Sequence, residues 1–503
     1  MRAFVREGDA TTRLRWWRAG ALTVLLGYGI FLAVYFTPVA SGSDSSGYLN
    51  FAHLLLRGRL VDEARPVRGL EAQSPFATVP LGFLMDPETG RLVPTYPSGM
   101  PLQFAAAEFV FGRAAGMHMV GVGGALAAVG LCYAVGRELG LSRALSALSA
   151  GMLAWNPVFL FIALQPLSDV LATTWILAAV FALLRARRST GWALFAGAAA
   201  AMAVLVRPTN LLVFPALLVL MPGWRQFGLF VAGGLPGAVW MAWYQNALYG
   251  GPWASGYGDI RDHFHWSNLI PTSAHYAEWI PRFVPIVWVL AIAGVARFWR
   301  AEWKTVVALA LWAAPVAVFY LFYDVTKETW WCLRFILPAM PALILGGAMG
   351  AAGLRAVATG RGVQLWRLGA AVVAVWAAGL GWFWGQRLKV IEISNSELPY
   401  REMATWVAAN VPRDAAVVCF FTSGAVHHYT SCAVLRWDMI ARPEFESFAR
   451  TVDVNVQPVY AVLFHEEERE ALNERMPGRW EKIHEASRGA VWRLVGAARI
   501  ERD

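Results

Sequence analysis

Two carboxylates stand at the edges of apolar runs: Asp44, in Gly42-Ser43-Asp44-Ser45-Ser46-Gly47-Tyr48, and Asp169, in Gln165-Pro166-Leu167-Ser168-Asp169. Arg207, Lys327 and Arg334 occupy comparable positions later in the chain. A charge submerged in lipid costs about 2.5–3.5 kcal/mol, so such groups usually face a cavity or serve a function. A positioned carboxylate can take a proton, and a fixed cation can hold a phosphate. Two acids and several cations on one face therefore point to a site for a phosphate-bearing ligand. Plainer readings exist for each: an N-cap for Asp169, a solvated loop acid for Asp44, a snorkelling helix-end residue for Arg207. A further polar cluster holds Tyr257, Asp259, Asp262, His263 and His265. Its two histidines share one face of a strand at i, i+2 spacing but have no third ligand, which reads as a surface loop rather than a metal centre.

These groups need elements to position them. The chain has 503 residues, 57% of them hydrophobic and 15% charged, and a mean hydropathy of +0.45. A soluble domain carries roughly 45–50% apolar and about 25% charged residues. The excess apolar surface demands lipid, and a disordered chain, a collagen-like fibre and a disulfide scaffold are excluded. The net charge of +9 comes from 39 Arg and 4 Lys against 34 acids. The arginines sit in short clusters between apolar runs, the pattern of the positive-inside rule, and give no nucleic-acid signal. The Arg and Ala bias suggests a GC-rich bacterial genome and hence the inner membrane. Four cysteines, at 132, 332, 419 and 432, have no zinc spacing; a pairing of Cys419 with Cys432 and two free thiols are equally compatible with them.

Hydropathy predicts about eleven transmembrane helices. They fall at about 19–40, 115–136, 143–164, 170–185, 192–206, 209–221, 227–248, 282–298, 305–323, 335–353 and 368–386. The first has no small-residue cleavage site after it and reads as an uncleaved anchor. Residues 41–114 form a large first extracytoplasmic loop, with an interfacial helix at 101–112 that is too short to cross. The arginines at 2–18, Arg137 and Arg143, Arg185 to Arg188, Arg225, Arg297 with Arg300 and Lys304, and Arg355 to Arg367 alternate onto one side, the cytoplasm. That alternation requires a hairpin at Arg207-Pro208-Thr209-Asn210. The fold class is thus an all-α polytopic membrane domain over 1–387, followed by a small extracytoplasmic α/β domain over 388–503.

In this order the motifs resemble the GT-C integral-membrane glycosyltransferases, the group that includes the protein O-mannosyltransferases and the aminoarabinose transferase of lipid A. The resemblance runs through most of 19–386. It rests on Asp44 to Tyr48 with Ala52 and Gly58, Tyr96-Pro97-Ser98-Gly99-Met100-Pro101, Ser168-Asp169 and Arg207-Pro208-Thr209-Asn210. It continues in Tyr249-Gly250-Gly251-Pro252, Gly256-Tyr257-Gly258 and Trp331-Cys332-Leu333-Arg334-Phe335-Ile336-Leu337-Pro338.

The resemblance implies a polyprenyl-phosphate sugar donor and an acceptor (lipid, glycan or protein) on the outer face, with inverting transfer. It implies Asp44 as general base, with Asp169 as a supporting acid. Tyr48, Tyr96 and Tyr257, with the cations Arg207, Lys327 and Arg334, would bind the substrate. A base near lipid and beside a second acid is expected to have a raised pKa. Many relatives carry two adjacent acids in loop one, whereas Ser45 follows Asp44 here. No cofactor is fixed by this, but Asp44 and Asp169 would be the ligands of a weakly held Mg or Mn ion. If Asp44 is not the base, Asp259, Asp262 and His263 are the candidates. Two other classes remain: a polytopic transporter or lipid flippase, which should show repeat symmetry and midplane charges, and a scaffold, which needs neither acid.

Overall fold

Hydrocarbon offers no partner to a bare N–H or C=O, so apolar runs in lipid fold as helices and break only where proline or a polar cap intervenes. The computed structural model describes residues 2–70, 75–298, 302–451 and 457–497, so Arg300 and the last residues of the C-terminal region lie outside the described residues. Helix α1 (Arg2–Tyr35) leads into loop one, which holds α2 (Asp44–Leu56) and three short strands, β1 (Asp62–Glu63), β2 (Phe83–Met85) and β3 (Arg91–Pro94). The strands form an antiparallel sheet in the order β1-β3-β2. The expected interfacial helix is α3 (Gly99–Phe111), whose tip exposes Phe109, Val110 and Phe111.

Next come α4 (Arg113–Glu138), α5 (Arg143–Ala154), α6 (Pro157–Ala163), α7 (Ser168–Ala186), α8 (Trp192–Val206), α9 (Phe214–Leu220) and α10 (Trp224–Tyr249). After them run α11 (Leu269–Phe283), α12 (Val287–Phe298), α13 (Trp303–Tyr320), α14 (Met340–Val357) and α15 (Arg361–Arg387). The chain is a multi-pass membrane protein, and the expected count of about eleven crossings is met only in part. Among the described residues, six helices are long and apolar enough to cross, or up to eight if each of two bent pairs is one span. The bent pairs are α5 with α6, at 61°, and the segment from Trp266 to Phe283 with Val287–Gly294, at 96°. At the first bend Asn156 accepts hydrogen bonds from Val158 N and Phe159 N at 3.0 and 3.2 Å. That cap starts a new helix at Pro157 instead of continuing the old one. The remaining expected spans are shorter apolar helices. The 15 residues of α8 reach only about 22 Å at 1.5 Å per residue, against a core of about 30 Å.

Helix α7 is the most enclosed of the six, 83% of its apolar window being buried, whereas α10 and α15 are at 11% and 6% and form the rim. Asp169 therefore begins the helix furthest from lipid.

Beyond α15, the chain forms α16 (Ile393–Asn410), β4 (Ala416–Cys419), α17 (Ser423–Tyr429), β5 (Ala433–Arg436), α18 (Arg442–Thr451), β6 (Val459–Phe464), β7 (Gly478–Glu485) and β8 (Gly489–Ala497). Five strands make one sheet, β5-β4-β6-β8-β7, with β4 parallel to β5 and β6 and with β8 antiparallel to β6 and β7. Cys132, Cys332, Cys419 and Cys432 are all free and buried.

The sheet region is fastened to loop one through α17. Asn50 Nδ2 donates to Gly424 O at 3.1 Å, and Ala40 N donates to the Tyr429 hydroxyl at 3.1 Å. Arg65 donates to the carbonyl oxygens of His427, Thr430 and Cys432, each at 2.9 Å, and so satisfies the C-terminal end of α17. The His53 ring, on α2, stacks on His428 at 4.4 Å. Burial, then Arg113 and Arg57, push the His53 imidazole down to about 4. Burial, then His53, hold His428 well below its usual value.

These imidazoles give the docked state a pH dependence. The folded chain binds fewer protons here than the unfolded chain, so stability falls as pH drops below about 6.5, the free imidazole value. Thermal unfolding across a pH series is expected to show that slope, and His53→Gln to flatten it. A slope untouched by His53→Gln would remove His53 as its source.

Candidate active site

Each of the four central charges is placed by a local break in regular structure. Asp44 is the first residue of α2 and Asp169 the second of α7, so both carboxylates face the positive end of a helix dipole. The N-cap of α7 is Leu167, so the reading of Asp169 as N-cap does not hold. Pro208 disfavours a helical conformation at the residue before it. Arg207 is accordingly extended, at φ −150° and ψ 106°, and ends α8. Asn210 Nδ2 then donates to the Ala203 carbonyl at 2.8 Å, beside the bond that carbonyl takes from Arg207 N at 2.9 Å. Arg334 sits in an unusually long 3-10 stretch, Trp330–Ala339. Pro338 and Pro341 lack the N–H groups that would bond the Arg334 and Leu337 carbonyls in an α-helix. Trp312 Nε1 holds the Pro338 carbonyl at 2.7 Å.

The four groups meet. Arg207 contacts Asp169 directly, Arg334 Nη2 lies 2.6 Å from Asp44 Oδ2, and Arg334 Nη1 lies 3.9 Å from Asp169 Oδ2. Phe335 lies between the two guanidiniums, its ring centroid 5.1 Å from each. Tyr320 and Trp331 flank them at 5.9 and 5.0 Å. The acids differ in access: the Asp169 side chain is 1% exposed and that of Asp44 27%. Only Asp44 is open to an incoming group.

Burial pushes the Asp44 carboxyl up, but Arg334, with help from Tyr96 and Arg207, more than offsets it and leaves the group below its ordinary value. The expected raised pKa is thus reversed, because guanidiniums rather than the second acid dominate the surroundings. Burial and the Asp44 charge push the Tyr48 phenol up to about 12, so it remains a neutral donor. Its hydroxyl lies 2.9 Å from Ser168 Oγ, and that of Tyr96 2.7 Å from Ser43 Oγ. Tyr96 packs closely because two glycines meet beneath it. Gly82 has φ +89°, and a Cβ on it would fall 2.4 Å from Gly47 Cα.

All four charges open into one cavity of about 940 Å³, together with Tyr48, Tyr96 and Tyr257. Away from the charges its wall is apolar, formed by Val204, Leu211, Phe214, Phe230, Leu235 and Met241. Seven of the eight expected site residues are brought together here. Lys327 is the exception: it bonds Asn268 Oδ1 and is not on the cavity wall. Asp259, paired with Arg261, and Asp262 are also off the wall, while His263 reaches it and pairs with Asp324 at 3.3 Å. Tyr320, Tyr323 and Trp253 line the cavity and were not expected. Tyrosine and tryptophan at the ends of apolar spans are ordinary membrane-interface residues, so the sequence gives no signal for them.

The residues do not fit the expected Mg or Mn ion. Both carboxylates already face guanidiniums, and among the described residues no three His, Cys, Asp or Glu side chains are placed to hold a metal.

Solved structures share this architecture. The chain superposes on ArnT from Cupriavidus metallidurans, in a crystal structure bound to undecaprenyl phosphate, with a TM-score of 0.59 at 12% identity over 94% of this chain and 98% of that one. The oligosaccharyltransferase AglB of Archaeoglobus fulgidus, in complex with an inhibitory peptide and a dolichol-phosphate, gives 0.55 at 11% identity over 89% and 69%. The mycobacterial arabinofuranosyltransferase AftD gives 0.52 at 14% identity, over 95% of this chain but 42% of its own length. No family model and no curated protein matches the sequence. The chain has the fold of the GT-C membrane glycosyltransferases, as the order of its motifs implies.

Gly82→Ala tests the packing under Tyr96. The left-handed backbone alone should cost about 1–2 kcal/mol, and the clash with Gly47 adds to it. The thermal unfolding temperature is expected to fall; an unchanged value would show that the contact is not tight.

Proposed function

We propose that the chain is a membrane glycosyltransferase that moves a sugar from a polyprenyl-phosphate donor to an acceptor, with inversion, on the extracytoplasmic face of a bacterial inner membrane. The observation that carries this reading is the two-ended cavity: one end holds Asp44 with two guanidiniums, the other is apolar. A lipid phosphate has the same two ends. The undecaprenyl phosphate on ArnT and the dolichol-phosphate on AglB support it.

In this reading the donor phosphate lies against Arg207 and Arg334, with its lipid chain along α8, α9 and α10. Tyr48, Tyr96 and Tyr257 line the space for the sugar. The acceptor oxygen attacks C1 as the bond from C1 to the phosphate oxygen breaks, and that electron pair leaves with the phosphate. The acceptor proton passes to Asp44, the more open acid. The arginines stabilise the charge that grows on the leaving phosphate. Asp169, sealed behind them, fixes both guanidiniums. A phosphate that shares Arg334 loosens its hold on Asp44, so the base strengthens once the donor is seated.

Purified protein incubated with a panel of polyprenyl-phosphate sugars should release polyprenyl phosphate with one of them; release with none would overturn the proposal. Asp44→Asn should lower turnover by about 10²–10⁴-fold while donor binding survives. Asp169→Asn should cost less. Near wild-type transfer by Asp44→Asn would move the base to His263. Because Arg334 holds Asp44 ionised, the acid limb of kcat/KM should lie below pH about 4, with that of kcat higher.

The side of the membrane is tested separately. A periplasm-dependent reporter fused after Asp503 should be active and a cytoplasmic one silent. The opposite pattern would place the site in the cytoplasm.

A further inference from the structure

We infer that transfer at this site runs without a divalent cation, because Arg334 takes the position between Asp44 and Asp169 that a metal bridging the two acids would need. The inference rests on the function proposed above. One guanidinium reaches both carboxylates, at 2.6 and 3.9 Å, and Arg207 closes Asp169 from another direction. Two negative charges face two positive ones before any ligand arrives. An added metal ion would leave the pocket strongly cationic and would have to displace a guanidinium to bridge the two acids. Displacement is opposed by packing. Arg334 is held over the faces of Trp331 and Phe335, and Arg207 over those of Tyr320 and Phe335. Among the other polar groups on the wall, Tyr48, Tyr96, Ser168 and Thr209 offer neutral hydroxyls, poor substitutes for the carboxylates that hold Mg or Mn, and the His263 imidazole is paired with Asp324 at 3.3 Å.

Arg334 can also do the work of the missing ion. Its Nε is buried and has no hydrogen-bond partner. That leaves a charged donor unspent while the two Nη atoms hold the acids, one that a phosphate oxygen would reach only on entering the space beside the guanidinium. A planar guanidinium can serve both at once, which an ammonium cannot.

The test uses the purified full chain, titrated with Mn²⁺ alone by calorimetry, and in parallel assayed for transfer in EDTA. Wild type is expected to show no Mn²⁺ uptake that depends on Asp169, and turnover unchanged by EDTA. Arg334→Met uncovers the acids. It should gain Mn²⁺ uptake that Asp169→Asn abolishes again, and should lose about 10²–10³-fold in turnover. Arg334→Lys keeps the charge and should still exclude Mn²⁺ while transferring poorly. Its result stands if Arg334→Met does not fold. Uptake of Mn²⁺ by wild type through Asp169 would overturn the inference. So would turnover lost in EDTA and restored by Mn²⁺ or Mg²⁺. A folded Arg334→Met that takes up no Mn²⁺ would overturn the part assigned to Arg334. If no donor supports transfer, the proposed function fails, yet the Mn²⁺ titrations still decide this inference.

Discussion

Asp44, Asp169, Arg207 and Arg334 lie where helices converge at one end of a membrane bundle, and each is costly there unless it is paired. Neutralising them against one another constrains the rest of the structure. Asp169 has to sit on the most enclosed helix, α7. Arg207 needs α8 to stop early, and Arg334 needs a 3-10 stretch in place of an α-helix. Prolines at 208, 338 and 341 impose both breaks through their missing N–H groups and fixed φ. The short and bent spans follow from the same requirement: helices interrupted near a site leave backbone and side chains free to turn inward, which is tolerated only where protein rather than lipid surrounds them.

The cluster is also a compromise between stability and use. A fully paired set of charges is neutral, so it draws an anionic ligand less strongly than two bare arginines would. It gains order in exchange. Guanidiniums held on aromatic faces and against carboxylates would lose little freedom to a phosphate, so the geometry that the proposed transfer needs exists beforehand. Asp44 remains the soft point. It is the more exposed of the two acids and is bonded by one arginine rather than two.

Much of this was legible in the chain because hydropathy sums locally. Each of the expected apolar segments is helical over most of its length in the structure. What hydropathy does not carry is whether a helix is long and straight enough to cross, since a single Asn156-Pro157 step bends one span by 61°. The acids and arginines stood out because charges are rare at span edges. Lys327 misled because chain position says which side a residue is on but not which way it points; it turns to Asn268. The pKa of Asp44 was misread for a related reason. Its governing neighbour, Arg334, is remote in sequence, and nothing near Asp44 announces it. Tyr320 and Phe335, which frame the guanidiniums, look like ordinary span-end aromatics.

Helix α2 has two owners. Its first residue is Asp44, and its flank at Ser46, Asn50 and His53 is gripped by α17 of the sheet region. The group with most freedom to react is therefore surveyed from two benchmarks, the membrane bundle through Arg334 and the sheet through α17. The sheet region thus shares in placing Asp44, although no side chain of its own lines the cavity.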